Sequence, residues 1–213
     1  MHIEPGLLSH AKLLLAGAGA TTVLVAHALP LLKSPLLWLR TLLAALFFAL
    51  FMQAFHMKAG PSELHFLGAM PLYLAFGYLP TLFGLVLGLL VQGLLFEPQD
   101  LAHLAVNSLS LVLPLMLVHH GVARRVLAQT AGRVGIKTVL QLDSVYYAGV
   151  IAMVAFWLSL SDAAGALAGF TQFALSYLPM LALEPLVTVL VLALIARLRR
   201  QRWAGLCFAP AHA

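Results

Sequence analysis

Six stretches of the chain, near residues 11 to 32, 35 to 57, 80 to 96, 102 to 123, 141 to 160 and 174 to 196, stay apolar long enough to cross a lipid bilayer. A hydrocarbon layer of ~30 Å takes about 20 helical residues. No water is available there to bond the backbone, so each segment must satisfy its own amides, which selects helices; the period-two alternation of a membrane barrel is absent. A shorter seventh run spans residues 64 to 77. The breaks, at Lys33-Ser34-Pro35, Lys58 to Pro61, Gly77 to Pro80, Glu97 to Asp100, Gln129 to Lys137 and Ser161 to Gly165, mostly carry Gly, Pro or charge, as turns do. The expected fold is an all-α integral membrane protein, a bundle of seven transmembrane helices, one of them short. It forms a single domain over 1–213, with an N-terminal strand over 1–10, the bundle over 11–200 and a cytoplasmic tail over 201–213.

Composition agrees, with 62% hydrophobic and only 9% charged residues, far from the mix of a soluble domain. The net charge of +5 does not describe a nucleic-acid surface, because the basic residues form no stripe and gather at the ends of apolar runs. They also orient the chain. Lys33 and Arg40, then Arg124, Arg125, Arg133 and Lys137, then Arg197, Arg199, Arg200 and Arg202 fall on one set of alternate loops, and Lys12, Lys58, Glu63, Glu97, Asp100 and Asp162 on the other. By the positive-inside rule the C-terminus is inside and Met1 outside. Merging the short segment with its neighbour would put basic loops on both faces, so the charge pattern favours seven crossings. Glu4 and Pro5 precede the first apolar run where a secretory leader would carry a positive patch, and the N-terminus is expected to be retained. Cys207, the lone cysteine, allows neither an internal disulfide nor a thiolate metal cluster.

The outer end then collects nitrogen ligands. A histidine in second position sets the Met1 amine, the His2 amide and the near His2 ring nitrogen in one chelating strand, three nitrogens in a plane. His56, His65 and His103 lie at or near the same surface, and His65, in a tight turn entering the short segment, is the choice for the fourth ligand; bonding to a carbonyl at the interface is its structural alternative. Four planar nitrogens, one a deprotonated amide, suit Ni(II), low-spin Co(II) or Cu(II). Zinc prefers a tetrahedron, and magnesium and calcium want oxygen. Such a site is acid-labile, since its ligands must lose or lack protons.

Polar residues inside the spans are costly and usually face the bundle interior. Gln92 and Asn107 are candidates to orient the imidazoles or the N-terminal strand, with plain interhelical bonding an equal reading. Glu184, before Pro185, is harder to ascribe to packing. Asp143 opens the sixth segment, counting the short one, and reads as an acid favourable to a helix N-terminus. His119 and His120 read as inner-interface residues, His10 and His27 as structural, and His212 as part of a loose tail. Gly17 and Gly19, Gly84 and Gly88, and Ala148, Gly149 and Ala152 allow close helix approach, the GxxxG spacing of Gly84 and Gly88 naming a contact but not its partner.

Met1-His2-Ile3 with Pro5 and Gly6, Ser62-Glu63-Leu64-His65 followed by Gly68, Leu90-Val91-Gln92-Gly93-Leu94-Leu95-Phe96, Asn107 and Glu184 together resemble the substrate-specific membrane component of cobalt and nickel energy-coupling-factor (ECF) transporters, in order and hydropathy over nearly the full length. The resemblance implies a seven-helix fold with an N-terminal strand plugged into the bundle from outside. It implies metal held by Met1, His2 and His65, with Ser62, Gln92, Asn107 and Glu184 in support. It further implies a substrate-capture subunit of an ABC importer in the inner (plasma) membrane, working with a transmembrane coupling subunit, cytoplasmic ATPase subunits and a possible small accessory membrane protein. The metal, Co(II) or Ni(II), is then cargo, and no catalytic cofactor is expected. The chain has no G-x-x-x-x-G-K-[ST] loop, so ATP would be handled elsewhere. The alternative is an ECF subunit for a vitamin-like ligand, indifferent to the first two residues. An intramembrane enzyme finds no H-E-x-x-H and no G-x-S-x-G, and a channel no ring of charges.

Overall fold

The computed structural model describes residues 8–54, 56–59, 62–129, 134–161 and 170–209, with the side chains of 56–59, 62–64 and 172 outside the description. Among the described residues six helices are long and apolar enough to cross a membrane. Helix α1 is His10–Leu32 and α2 is Pro35–Ala54, followed by a small antiparallel hairpin, β1 His56–Ala59 and β2 Ser62–His65, in which His56 pairs with His65. Then come α3, Ala69–Phe76, and α4, Tyr78–Leu95. A 3-10 turn, Pro98–His103, leads into α5, Leu104–Leu117, which continues through a π-helical turn, Val118–Ala123, into α6, Arg124–Gln129. Helix α7 is Ile136–Ser159, α8 is Phe170–Ser176, α9 is Leu178–Leu198 and the short α10 is Ala204–Cys207.

The expected helical class holds, with local corrections. The run at 64 to 77 is not one helix: β2 occupies its start, and α3 has eight residues, about 12 Å of helix. The expected start of the sixth segment, counting the short one, at 141 is late, because α7 begins at Ile136. That moves Asp143 two turns into the helix, where it is fully buried, so it is not a terminal acid serving the helix dipole. Pro114 lies inside α5 and removes one amide from the ladder. The π-turn follows four residues later, a common way for a helix to absorb such a defect. Pro179 sits at the start of α9 and accounts for the break after α8.

The glycine spacing in α4 finds its partner in α2. A Cβ on Gly84 would stand 2.6 Å from Ala44 Cβ, and one on Gly88 would stand 2.5 Å from Phe48 Cδ1. Contacts that advance in the same order along both helices mean that α2 and α4 run parallel. The chain must therefore return from the end of α2 to the start of α4 within residues 55–77, and α3 makes the return. Gly149 similarly meets Pro114 of α5, at 2.9 Å, and Gly19 meets Leu109, at 3.4 Å. Gly17, expected to admit a neighbour, has nothing within 4 Å among the described residues.

Leu67, Met70 and Leu72 around α3 pack in one core with Phe48, Leu85 and Tyr146. Leu14, Leu15, Leu46, Leu94 and Leu190 are exposed on the outer faces of their helices, as lipid contact requires. The tail is not loose over its described part. Arg40 donates to the carbonyls of Gly205, at 3.0 Å, and Leu206, at 3.2 Å. The Ala209 amide donates to the Ala75 carbonyl at 2.8 Å, and Phe208 stacks on Phe76. His212 lies outside the described residues.

Gly68 combines a left-handed backbone, φ 60, with a site where a Cβ would collide with the Phe51 ring. Gly68→Ala is expected to destabilise the protein by about 1–2 kcal/mol from the left-handed conformation alone, and by more from the clash. Gly17→Ala should leave stability unchanged or slightly raised. Thermal unfolding of both variants in detergent checks the pair.

Candidate metal centre

His65 ends β2 and is completely buried. Its Nδ1 lies 3.3 Å from the Met52 carbonyl at the end of α2. A ring nitrogen facing a carbonyl oxygen must carry the proton and donate it, which leaves the lone pair on Nε2. That is the tautomer of a metal-binding histidine whose other nitrogen is anchored by a carbonyl.

Three further polar residues belong to the same end of the bundle. Because α2 and α4 are parallel, the end of α4 lies with the end of α2, and the 3-10 turn and the start of α5 follow directly. Gln92, His103 and Asn107 sit there, each at most 2% exposed. Neither amide atom of Gln92 and neither ring nitrogen of His103 has a hydrogen-bond partner among the described residues. Buried polar groups are nearly always satisfied, so these four atoms need partners from beyond that set. His103, read as lying at or near the outer membrane surface, is buried within the protein.

Met1 and His2 lie outside the described residues. Leu8, just after them, is 6% exposed and packs with Ala16, Val106, Leu109 and Trp157. Leu8, the first described residue, thus lies inside the bundle beside the turn of α5 that carries Asn107. The described part of Ser62 is its backbone, which pairs with Ala59.

Glu184 does more than the sequence indicated. Its carboxylate is fully buried and accepts the Met70 amide at 3.1 Å and a short hydrogen bond from the Tyr147 hydroxyl. The amides of Gly68 and Ala69 also face it. It thus caps the N-terminus of α3, where the helix dipole and unsatisfied amides favour an anion. An acid at bilayer depth costs about 3 kcal/mol on insertion scales, and these donors offset that cost. The cap fixes the backbone three to five residues beyond His65. The sequence did not reveal its partner Tyr147, nor the burial of Asp143 beside it; the available sign was an acid followed three and four residues later by Tyr146 and Tyr147 in an otherwise apolar helix.

The opposite end holds a second group of histidines, among them His27, read from the sequence as structural, and His119, read as an inner-interface residue. His27 donates from Nδ1 to the Val23 carbonyl at 2.8 Å and accepts the Tyr78 hydroxyl at 3.2 Å. His119 pairs with the Tyr73 hydroxyl at 2.9 Å and stacks on the Tyr78 ring. Among the described residues no group of three or more His, Cys, Asp or Glu could hold a metal ion, so any centre at His65 needs ligands from elsewhere.

Two solved structures share this architecture. One, titled a transition metal transporter, is 20% identical, covers 95% of each chain and superposes with a TM-score of 0.73. The other, titled a truncated transition metal transporter, is 19% identical over 94% of this chain and 99% of its own, with a TM-score of 0.68. No curated protein matches the sequence. The family described as the cobalt uptake substrate-specific transmembrane region, CbiM, matches residues 2–202. Nearly the whole chain lies within that match, and this multi-pass membrane protein belongs to the CbiM family.

Proposed function

We propose that the chain is the metal-capture subunit of an ECF-type importer, binding Co(II) or Ni(II) at the outer face in a planar set of four nitrogens. The ligands are the Met1 amine, the His2 amide and ring, and His65 Nε2. The observation that carries the reading is His65 itself, wholly buried with Nδ1–H committed to the Met52 carbonyl, so that Nε2 is the coordinating atom. Leu8 supports it: seven residues precede Leu8, and an extended strand of that length reaches about 20 Å, enough to run from the α5 contact toward His65. The strand also supplies partners for Gln92 and His103, and with Asn107 these orient the ligands. The two similar structures, both of transition metal transporters, and the family description favour a transition metal as cargo.

In this reading α3 is the short seventh crossing, since α2 and α4 run parallel and the chain must return between them. The tail is cytoplasmic, and the basic end nearby faces the coupling and ATPase subunits that power transport in the inner (plasma) membrane.

Isothermal titration with Co(II), Ni(II), Cu(II) and Zn(II) tests the site. Inserting one residue after Met1 is expected to abolish binding as fully as His2→Ala, and His65→Ala to weaken it while the fold survives. Undiminished affinity in the extended protein would overturn the assignment. Binding displaces protons from the amine and amide, so affinity should fall as pH is lowered, and titration in buffers of different ionisation enthalpy should register proton release. For sidedness, the half-buried Cys207 should react with an impermeant thiol reagent in inverted vesicles and not in right-side-out ones.

A further inference from the structure

Asp143 on α7 and Glu184 on α9 are both completely inaccessible to solvent, and their carboxyl groups lie within hydrogen-bonding reach of each other. Neither oxygen of Asp143 meets a donor among the described residues. Glu184 is different, since it receives the Met70 amide and the Tyr147 hydroxyl and faces the amides of Gly68 and Ala69. Among the described residues the other titratable groups near the pair are Tyr146 and Tyr177, whose hydroxyls bond neither carboxyl. Two ionised carboxylates in contact repel each other and are both acceptors only, and an ion without donors at this depth is strongly disfavoured. One proton resolves both problems. It belongs on Asp143, because the amide donors at the start of α3 hold the negative charge on Glu184.

We propose that Asp143 is a neutral acid whose O–H donates to the Glu184 carboxylate, and that this shared proton positions the α3 cap and with it the turn bearing His65. Asp143 is then a positioning residue that ties α7 through Glu184 to the metal-bearing turn. The effect on metal affinity rests on His65 being a ligand; the protonation state does not.

The test uses the full-length protein in detergent at neutral pH. Infrared spectra of the wild type should show the C=O stretch of a protonated carboxylic acid, and Asp143→Asn should remove that band. The asparagine amide replaces the lost donor, so this variant is expected to bind Co(II) as the wild type does. Asp143→Ala lacks the donor and should weaken binding on the order of tenfold, the usual scale for a group that orients a ligand. A spectrum in which no acid band is lost in Asp143→Asn overturns the proposal. So does an asparagine variant that binds as poorly as the alanine one. If the alanine variant does not fold, the band and the asparagine variant still decide. Failure of the wild type to bind Co(II) or Ni(II) would remove the metal reading, and the infrared band would then decide the shared proton alone.

Discussion

An eight-residue helix inside a membrane-spanning bundle leaves end groups where no water can reach them, and the satisfaction of those groups organises this structure. A long crossing helix carries its unpaired amides and carbonyls to the interface. Helix α3 is too short for that. Its amides at the start meet Glu184, and its Ala75 carbonyl at the other end accepts the amide of Ala209. The two clamps come from the last long helix and the chain's tail, so an element early in the sequence is held by residues more than a hundred positions later. Gly68, in a left-handed conformation against Phe51, makes the entry into α3 sterically possible.

The candidate site inherits its geometry from that clamp. His65 is separated from the capped amides by Phe66 and Leu67, both buried, and is tied on its other side to the end of α2. Its ring is therefore held between α2, which the close contacts of Gly84 and Gly88 lock against α4, and α3, which Glu184 caps. Gln92 and His103 then line the same end with buried polar atoms that the described residues do not satisfy. In a bundle this apolar such atoms are expensive, and Leu8, the first described residue, is itself buried.

Much of this was legible in the residues. The apolar runs placed the long helices to within a few positions, and the polar residues Gln92, Asn107 and Glu184 stood out because hydrocarbon penalises them wherever they point. His65 stood out because it enters a turn. Asp143 was misread for a physical reason: hydropathy cannot distinguish an acid at a helix start from one two turns inside when polar residues of the loop blend into the helix. Gly17 permits a close approach that no described residue makes, since small residues allow contact without requiring it. The hairpin before α3 was also hidden, because four-residue strands carry too little pattern to separate from a turn.

The sequence by itself determined that the chain spans a membrane as helices, which ends carry positive charge, and that a chelating N-terminal strand and a turn histidine were available. These follow from local chemistry, since each apolar run must bond its own backbone and each ligand set is read from adjacent atoms. Only the tertiary structure decided that α2 and α4 run side by side, that His65 carries its proton on Nδ1, and that Glu184 caps α3 with Asp143 pressed against it. Those are pairings between distant residues. Their energy depends on distance and on the absence of water, which no single stretch of sequence records.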